Sequence, residues 1–166
     1  MPRERSARER LALRGALLRL TPPLETVAED VLCAVSRVDL VARDPEGAVS
    51  IVLLSGEGAD LTRLAEGIAQ CAWLSPRLPD WAQLAPHLRL DTSGVRLLLA
   101  CPRFDERTRL AAADLGSRVQ LVETQPRGDL DLDVRPVEAP AGTLPIAVAP
   151  RPRSQPAAGF RSGLRD

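Results

Sequence analysis

The 166-residue chain contains no lysine and no tyrosine, so all 22 of its basic residues are arginine. Those two absences exclude a lysine Schiff base, a phosphate-loop lysine and a tyrosine nucleophile. The complete preference for arginine reads as the coding bias of a GC-rich genome. Histidine occurs once, as His87 in Ala85-Pro86-His87, with no serine or cysteine motif beside it, so the familiar nucleophile–histidine arrangements do not form and His87 reads as a loop residue. Aromatic side chains are nearly absent, being only Trp73, Trp81, Phe104 and Phe160. The three cysteines, Cys33, Cys71 and Cys101, lie far apart in apolar stretches without CxxC spacing and read as buried, reduced thiols. Net charge is also missing: 22 acidic residues balance the 22 arginines, leaving no global field to attract nucleic acid or an anionic membrane. No apolar run of about 18 residues is present, and the N-terminus interleaves Arg with Glu where a signal peptide would be apolar, so a soluble, cytoplasmic protein with no membrane partner is expected.

What remains is 45% hydrophobic, enough for the core of one domain. Three segments are expected: an Arg-rich helix over 1–20, an α/β core over 21–124 and a Pro-rich flexible tail over 125–166. In the first, Leu11, Leu17, Leu18 and Leu20 follow helical spacing before Thr21-Pro22-Pro23. Residues from Glu25 fit a strand or a short helix. RVDLVARD and AVSIVLLS flank Asp44-Pro45-Glu46-Gly47, the pattern of a β-hairpin whose second strand, apolar almost throughout, belongs at the sheet centre. DLTRLAEGIAQCAWL is periodic as a helix, a short helix follows from Asp80, and VRLLLAC reads as a buried strand. Asp105 is placed to cap a helix ending at Gly116, and RVQLVET supplies the last strand. The alternation predicts a three-layer α/β fold with a mixed central sheet flanked by helices. Beyond Thr124 the pattern ends, and 42 residues carry seven prolines.

Gly56-Glu57-Gly58 is too short for a phosphate loop and reads as a turn. The remaining candidate is a carboxylate, Asp39, on the first strand of the hairpin, followed by a central strand and a helix. Residues 37–74 resemble the core of the PD-(D/E)xK nuclease superfamily, the restriction-endonuclease-like fold, in particular its RecB-like and archaeal-type endonuclease members. Arg37, Asp39, Leu40, Gly47, Val52, Leu54, Ala72, Trp73 and Leu74 keep that pattern, and the likeness extends over residues 25–124.

The departures fall on the chemistry. The resemblance puts Leu53 where the metal-binding glutamate belongs, Ser55 where the catalytic lysine belongs and Glu66 at the helix glutamine. A hard divalent ion needs several oxygen ligands, and the lysine orients or deprotonates water. The expectation is therefore a degenerate, non-catalytic nuclease fold serving as a protein-interaction or assembly module, with another protein or a larger assembly as partner and no cofactor. One alternative is a nucleic-acid-binding module using Arg3, Arg5, Arg8, Arg10 and Arg14 with the tail arginines. Another is an active metal-dependent DNA endonuclease, in which Asp39 and a migrated carboxylate, Glu66 or Glu57, hold Mg²⁺ and Arg63 stabilises charge. Asp39 itself is read either as a vestigial site residue or as a strand-start residue paired with Arg37 or Arg43.

Overall fold

The hairpin around Asp44 organises the sheet. One carboxylate oxygen of Asp44 accepts from the backbone N–H groups of Glu46 and Ala48, both at 2.9 Å, and Gly47 takes φ +95°, a conformation that suits glycine. In the computed structural model, which describes residues 7–34, 36–128 and 131–138, the turn joins β2 (Arg37–Arg43) to β3 (Ala48–Leu54). The chain runs α1 (Ala7–Leu17), β1 (Glu25–Leu32), β2, β3, α2 (Asp60–Leu74), α3 (Leu78–Leu84), β4 (Asp91–Cys101), α4 (Glu106–Leu115), β5 (Val119–Pro126) and β6 (Leu132–Pro136). Among the described residues, six strands lie side by side in chain order. β1, β2 and β3 pair antiparallel, β3, β4 and β5 pair parallel through helical crossovers, and β6 returns antiparallel to β5.

β3 is apolar but for Ser50 and the second half of β4 is apolar from Leu97 to Cys101, because both faces of the sheet are covered there. Val49, Ile51 and Leu53 of β3 and Leu97 and Leu99 of β4 face a core completed by Leu64, Cys71 and Leu74 of α2, Leu78 of α3 and Ala112 of α4. Val52, Leu98, Ala100 and Val122 face the opposite core, closed by Leu13 and Leu17 of α1. This is the mixed sheet between helical layers that the residue pattern predicts. Gly67 lets α2 come close, since a Cβ there would lie 2.6 Å from the Leu97 methyls and 3.0 Å from a Leu53 methyl. Asp105 caps α4 by accepting from the Arg107 N–H, and Gly116 ends it at φ +60°. Among the described residues no helix is long and apolar enough to cross a membrane.

Several expectations change. Of the leucines expected to seat α1, Leu17 is buried but Leu11 and Leu18 face outward; Ala12, Leu13 and Ala16 do the packing. The segment from Glu25 is a strand, and β4 begins four residues before Val95 because its polar start pairs with the hairpin turn, Ala48 opposite Asp91. The ordered sheet also continues past Thr124. β5 reaches Pro126, and β6, which contains Pro136, lies at the sheet edge, where a missing N–H is tolerated. Residues 139–166 lie outside the described residues. Cys71 and Cys101 are buried and free while Cys33 is half-buried. Burial pushes the Cys71 thiol up to about 12 and raises that of Cys101, so both are poor nucleophiles.

Candidate functional site

The site grows from an irregularity in β2. Val38 packs in the α2-side core, yet Leu40, two residues on, packs in the α1-side core. A regular pleat would put both on one face, so the strand turns over at Asp39. Opposite it on β1, Asp30 adopts φ +52°, an arrangement short acidic residues tolerate better than most. The turnover aims the Asp39 carboxylate at the end of β3, where Oδ2 accepts from the Leu54 N–H at 2.9 Å.

The same oxygen accepts from Arg63 of α2. Arg63 Nη2 lies 2.9 Å from Asp39 Oδ2, Nη1 lies 2.5 Å from Glu66 Oε2, and Nε donates to the Leu54 carbonyl at 3.2 Å. One guanidinium therefore joins both candidate carboxylates and the strand end. The Arg63 and Asp39 side chains are only 19% and 13% exposed, so water screens this pair less than a surface pair. The expectation that Asp39 pairs with Arg37 or Arg43 does not hold: Arg37 binds Asp30 at 2.6 Å and Arg43 binds Glu25 at 2.7 Å, both across β1 and β2. The strand turnover carries Asp39 away from them and towards α2.

Leu53 is fully buried beneath Gly67, in contact with the helix rather than beside Asp39. Ser55 is also buried; its N–H extends the β3–β4 ladder to the Ala100 carbonyl at 2.7 Å and its hydroxyl donates to the Gly56 carbonyl at 3.1 Å. Glu57 is exposed beyond the strand end. Thus Asp39 and Glu66 are brought together, but by a cation supplied by the chain. Arg63 places a positive charge between the two carboxylates, and an arginine is not itself a metal ligand. Among the described residues no cluster of three or more His, Cys, Asp or Glu side chains has metal-holding geometry.

Of the arginines assigned to nucleic acid, Arg3 and Arg5 lie outside the described residues. Arg8 is exposed on α1, Arg10 is engaged within the chain, and Arg14 pairs with Glu29 of β1 at 2.6 Å.

Sequence reasoning missed two residues that hold the site's frame. Gln70, 1% exposed, donates from Nε2 to Ser36 Oγ at 2.8 Å and to the Arg37 carbonyl at 3.1 Å, clamping α2 to the start of β2. Asp60, buried at the first turn of α2, accepts from the Asp105 N–H at 2.7 Å and so ties the starts of α2 and α4 together. Burial alone would raise the Asp60 carboxyl, but the Asp105 N–H and the first amides of its own helix outweigh this and hold it below the usual carboxylate value. The signal for Gln70 is its spacing. Arg63, Glu66 and Gln70 make one polar stripe at i, i+3 and i+7 on a helix whose neighbouring positions enter the core.

No family model and no curated protein matches the chain. Among solved structures, it is similar to a repair endonuclease from Pyrococcus abyssi at 13% identity and a TM-score of 0.41, over 63% of this chain and 39% of the endonuclease. It is also similar to a protein of unknown function from Silicibacter pomeroyi at 20% identity and a TM-score of 0.39, over 82% of this chain and 73% of the other. The chain thus spans well under half the length of the endonuclease it resembles.

Proposed function

We propose that this chain is a non-catalytic interaction or assembly module built on a degenerate nuclease-like α/β fold. The observation that carries the reading is the Arg63 guanidinium, which binds Asp39 and Glu66 together and neutralises the carboxylates that a metal-dependent nuclease would turn towards its ion. The buried Leu53 and the backbone-bonded Ser55 support the same reading, since neither presents a ligand or a base to a substrate. The active-nuclease alternative would require Arg63 to leave both partners. A pair of charge-assisted hydrogen bonds of this kind contributes about 1.5–3 kcal/mol each when partly buried. The nucleic-acid alternative is less well supported, because the α1 arginines border exposed leucines rather than forming a continuous basic face.

The test is a calorimetric titration of Mg²⁺ and Mn²⁺ into wild type, Asp39→Ala and Arg63→Ala, with cleavage of single-stranded and duplex DNA followed in parallel. Wild type is expected to bind neither ion and to cleave neither DNA. Arg63→Ala, which releases both carboxylates, is expected to acquire weak Mn²⁺ binding without cleavage. Metal binding and cleavage by wild type, lost together in Asp39→Ala, would overturn the proposal.

A further inference from the structure

The sheet face beneath α1 is apolar along most of its length and turns polar at one end. Going back along β3, Leu54 and Val52 pack in the α1-side core and Ser50, next on that face, is the one polar residue of the strand. Beside it stand Asp44, which follows β2, Arg96 of β4, the register partner of Ser50, and Gln120 of β5, the register partner of Leu98. These four residues form a polar row across the sheet. The chain after α1 folds back over the row, its Leu24 N–H donating to the Leu17 carbonyl at 3.0 Å. Between the row and this roof lies a cavity of about 100 Å³ that all four polar residues line.

Two of the polar groups are buried and short of partners. Ser50 is 6% exposed, and its hydroxyl enters none of the hydrogen bonds among the described residues. Asp44 is equally buried. Its Oδ1 is satisfied by the turn amides, but Oδ2 meets Arg96 Nη2 at 3.4 Å, longer than the ~2.7–2.9 Å of a charge-assisted hydrogen bond. A buried hydroxyl and a buried carboxylate oxygen without a close donor call for a polar occupant. The cavity exceeds the ~10–15 Å³ that one water needs and falls well short of the ~300 Å³ at which pockets for drug-sized ligands begin, so the occupant is small.

Charge selects the occupant. Asp44 and Arg96 cancel, so the cavity has no net charge to draw a simple cation or anion, but it sets a negative and a positive group side by side. A molecule with an ammonium and a carboxylate on neighbouring carbons meets both at once. It does so without parting Asp44 from Arg96, because a guanidinium has donors beyond the one facing Asp44 and the Arg96 side chain is 53% exposed.

We propose that this cavity binds a free α-amino acid with a small side chain. The ammonium donates to Asp44 Oδ2 and Ser50 Oγ, the carboxylate accepts from Arg96 and the Gln120 amide, and the side chain lies between Leu98 and Leu24. The site is at the opposite end of β3 from Asp39, whose carboxylate meets the Leu54 N–H, and does not depend on the reading of that site.

The probes are glycine, L-alanine and L-serine, with acetate, methylammonium and acetamide as controls that carry one group each. They are titrated into the full chain labelled with ¹⁵N, and the backbone amide resonances of residues 47–50 and 96–98 are followed. Saturable shifts at these amides are expected with at least one amino acid, at an affinity at least about tenfold above that of any control. Asp44 is left intact because it holds the hairpin turn. Arg96→Gln, at a half-exposed position, is expected to weaken binding about tenfold. Ser50→Val, which fills the cavity, is expected to abolish binding while thermal stability stays equal or rises. No saturable shift with any amino acid, as for a cavity that takes water only, would overturn the proposal. Acetate or methylammonium binding as tightly as the amino acids, or binding unchanged in Ser50→Val and Arg96→Gln, would overturn it equally.

Discussion

Asp60 and Asp39 are both acidic residues drawn into the protein, and each is satisfied differently. Asp39 meets a guanidinium and a strand-end N–H, whereas Asp60 meets backbone N–H groups at two helix starts. For Asp60 the consequence is a pH dependence. Its folded-state carboxyl is held below the ordinary value of 3.8, so its contribution to stability is fully present above that value and is lost as pH falls through the lower folded value. Asp60→Asn removes the charge at every pH. The stability difference between wild type and Asp60→Asn, measured by urea unfolding, is therefore expected to be largest near neutrality and to shrink towards pH 2. A difference that stayed constant across that range would show that the charge of Asp60 does not stabilise the fold.

At the scale of elements, the hairpin turn does more than reverse the chain. The Gly47 carbonyl accepts from the Asp91 N–H at 2.8 Å, tying the turn to the start of β4. A Cβ at Gly47 would stand 2.2 Å from the Arg89 carbonyl oxygen, and φ +95° disfavours any other residue. Gly47→Ala is therefore expected to cost about 2–4 kcal/mol in chemical denaturation, well beyond the loss at an ordinary surface turn. Gly67→Ala makes a useful comparison, because the atoms its Cβ would meet are the ends of leucine side chains rather than backbone. A Gly47→Ala variant as stable as wild type would mean that the turn can open without disturbing the β3–β4 register.

For the whole molecule, the two faces of the sheet are covered unequally. Among the described residues, three helices close one core, while α1, with β6 beside it, closes the other. β6 supplies Leu132 and Val134 to that second core, and Arg19, just after α1, reaches Asp131 at 2.8 Å and the Leu132 carbonyl at 2.6 Å. The α1 layer is therefore expected to be the first to loosen. Val134→Asp, which puts a charge at a half-buried position of that core, should lower stability by about 1–3 kcal/mol and raise hydrogen exchange in α1 more than in α2. Equal increases in both helices would indicate that the two cores open as a single unit.

Much of this architecture is legible locally. The Asp44–Gly47 turn, the nearly continuous apolar run of β3, the 3.6-residue period of α2 and the Asp105 cap each depend on residues near one another, so residue type and spacing suffice to predict them. The mixed sheet follows from their order. The partners of Asp39 were not legible in this way, because the strand turnover at Asp39 and the seating of α2 decide which of several arginines reaches it, and Arg63 is 24 residues away. The same limit applies to α1, where leucine spacing alone does not show which side meets the sheet, and to β6, which lies in a Pro-rich stretch that reads as a tail until β5 offers an edge. The sequence by itself determined the elements and the absence of lysine, tyrosine and a second histidine. Only the tertiary structure decided that a chain-borne cation joins Asp39 to Glu66, because that contact requires three separate elements to converge at the end of one strand.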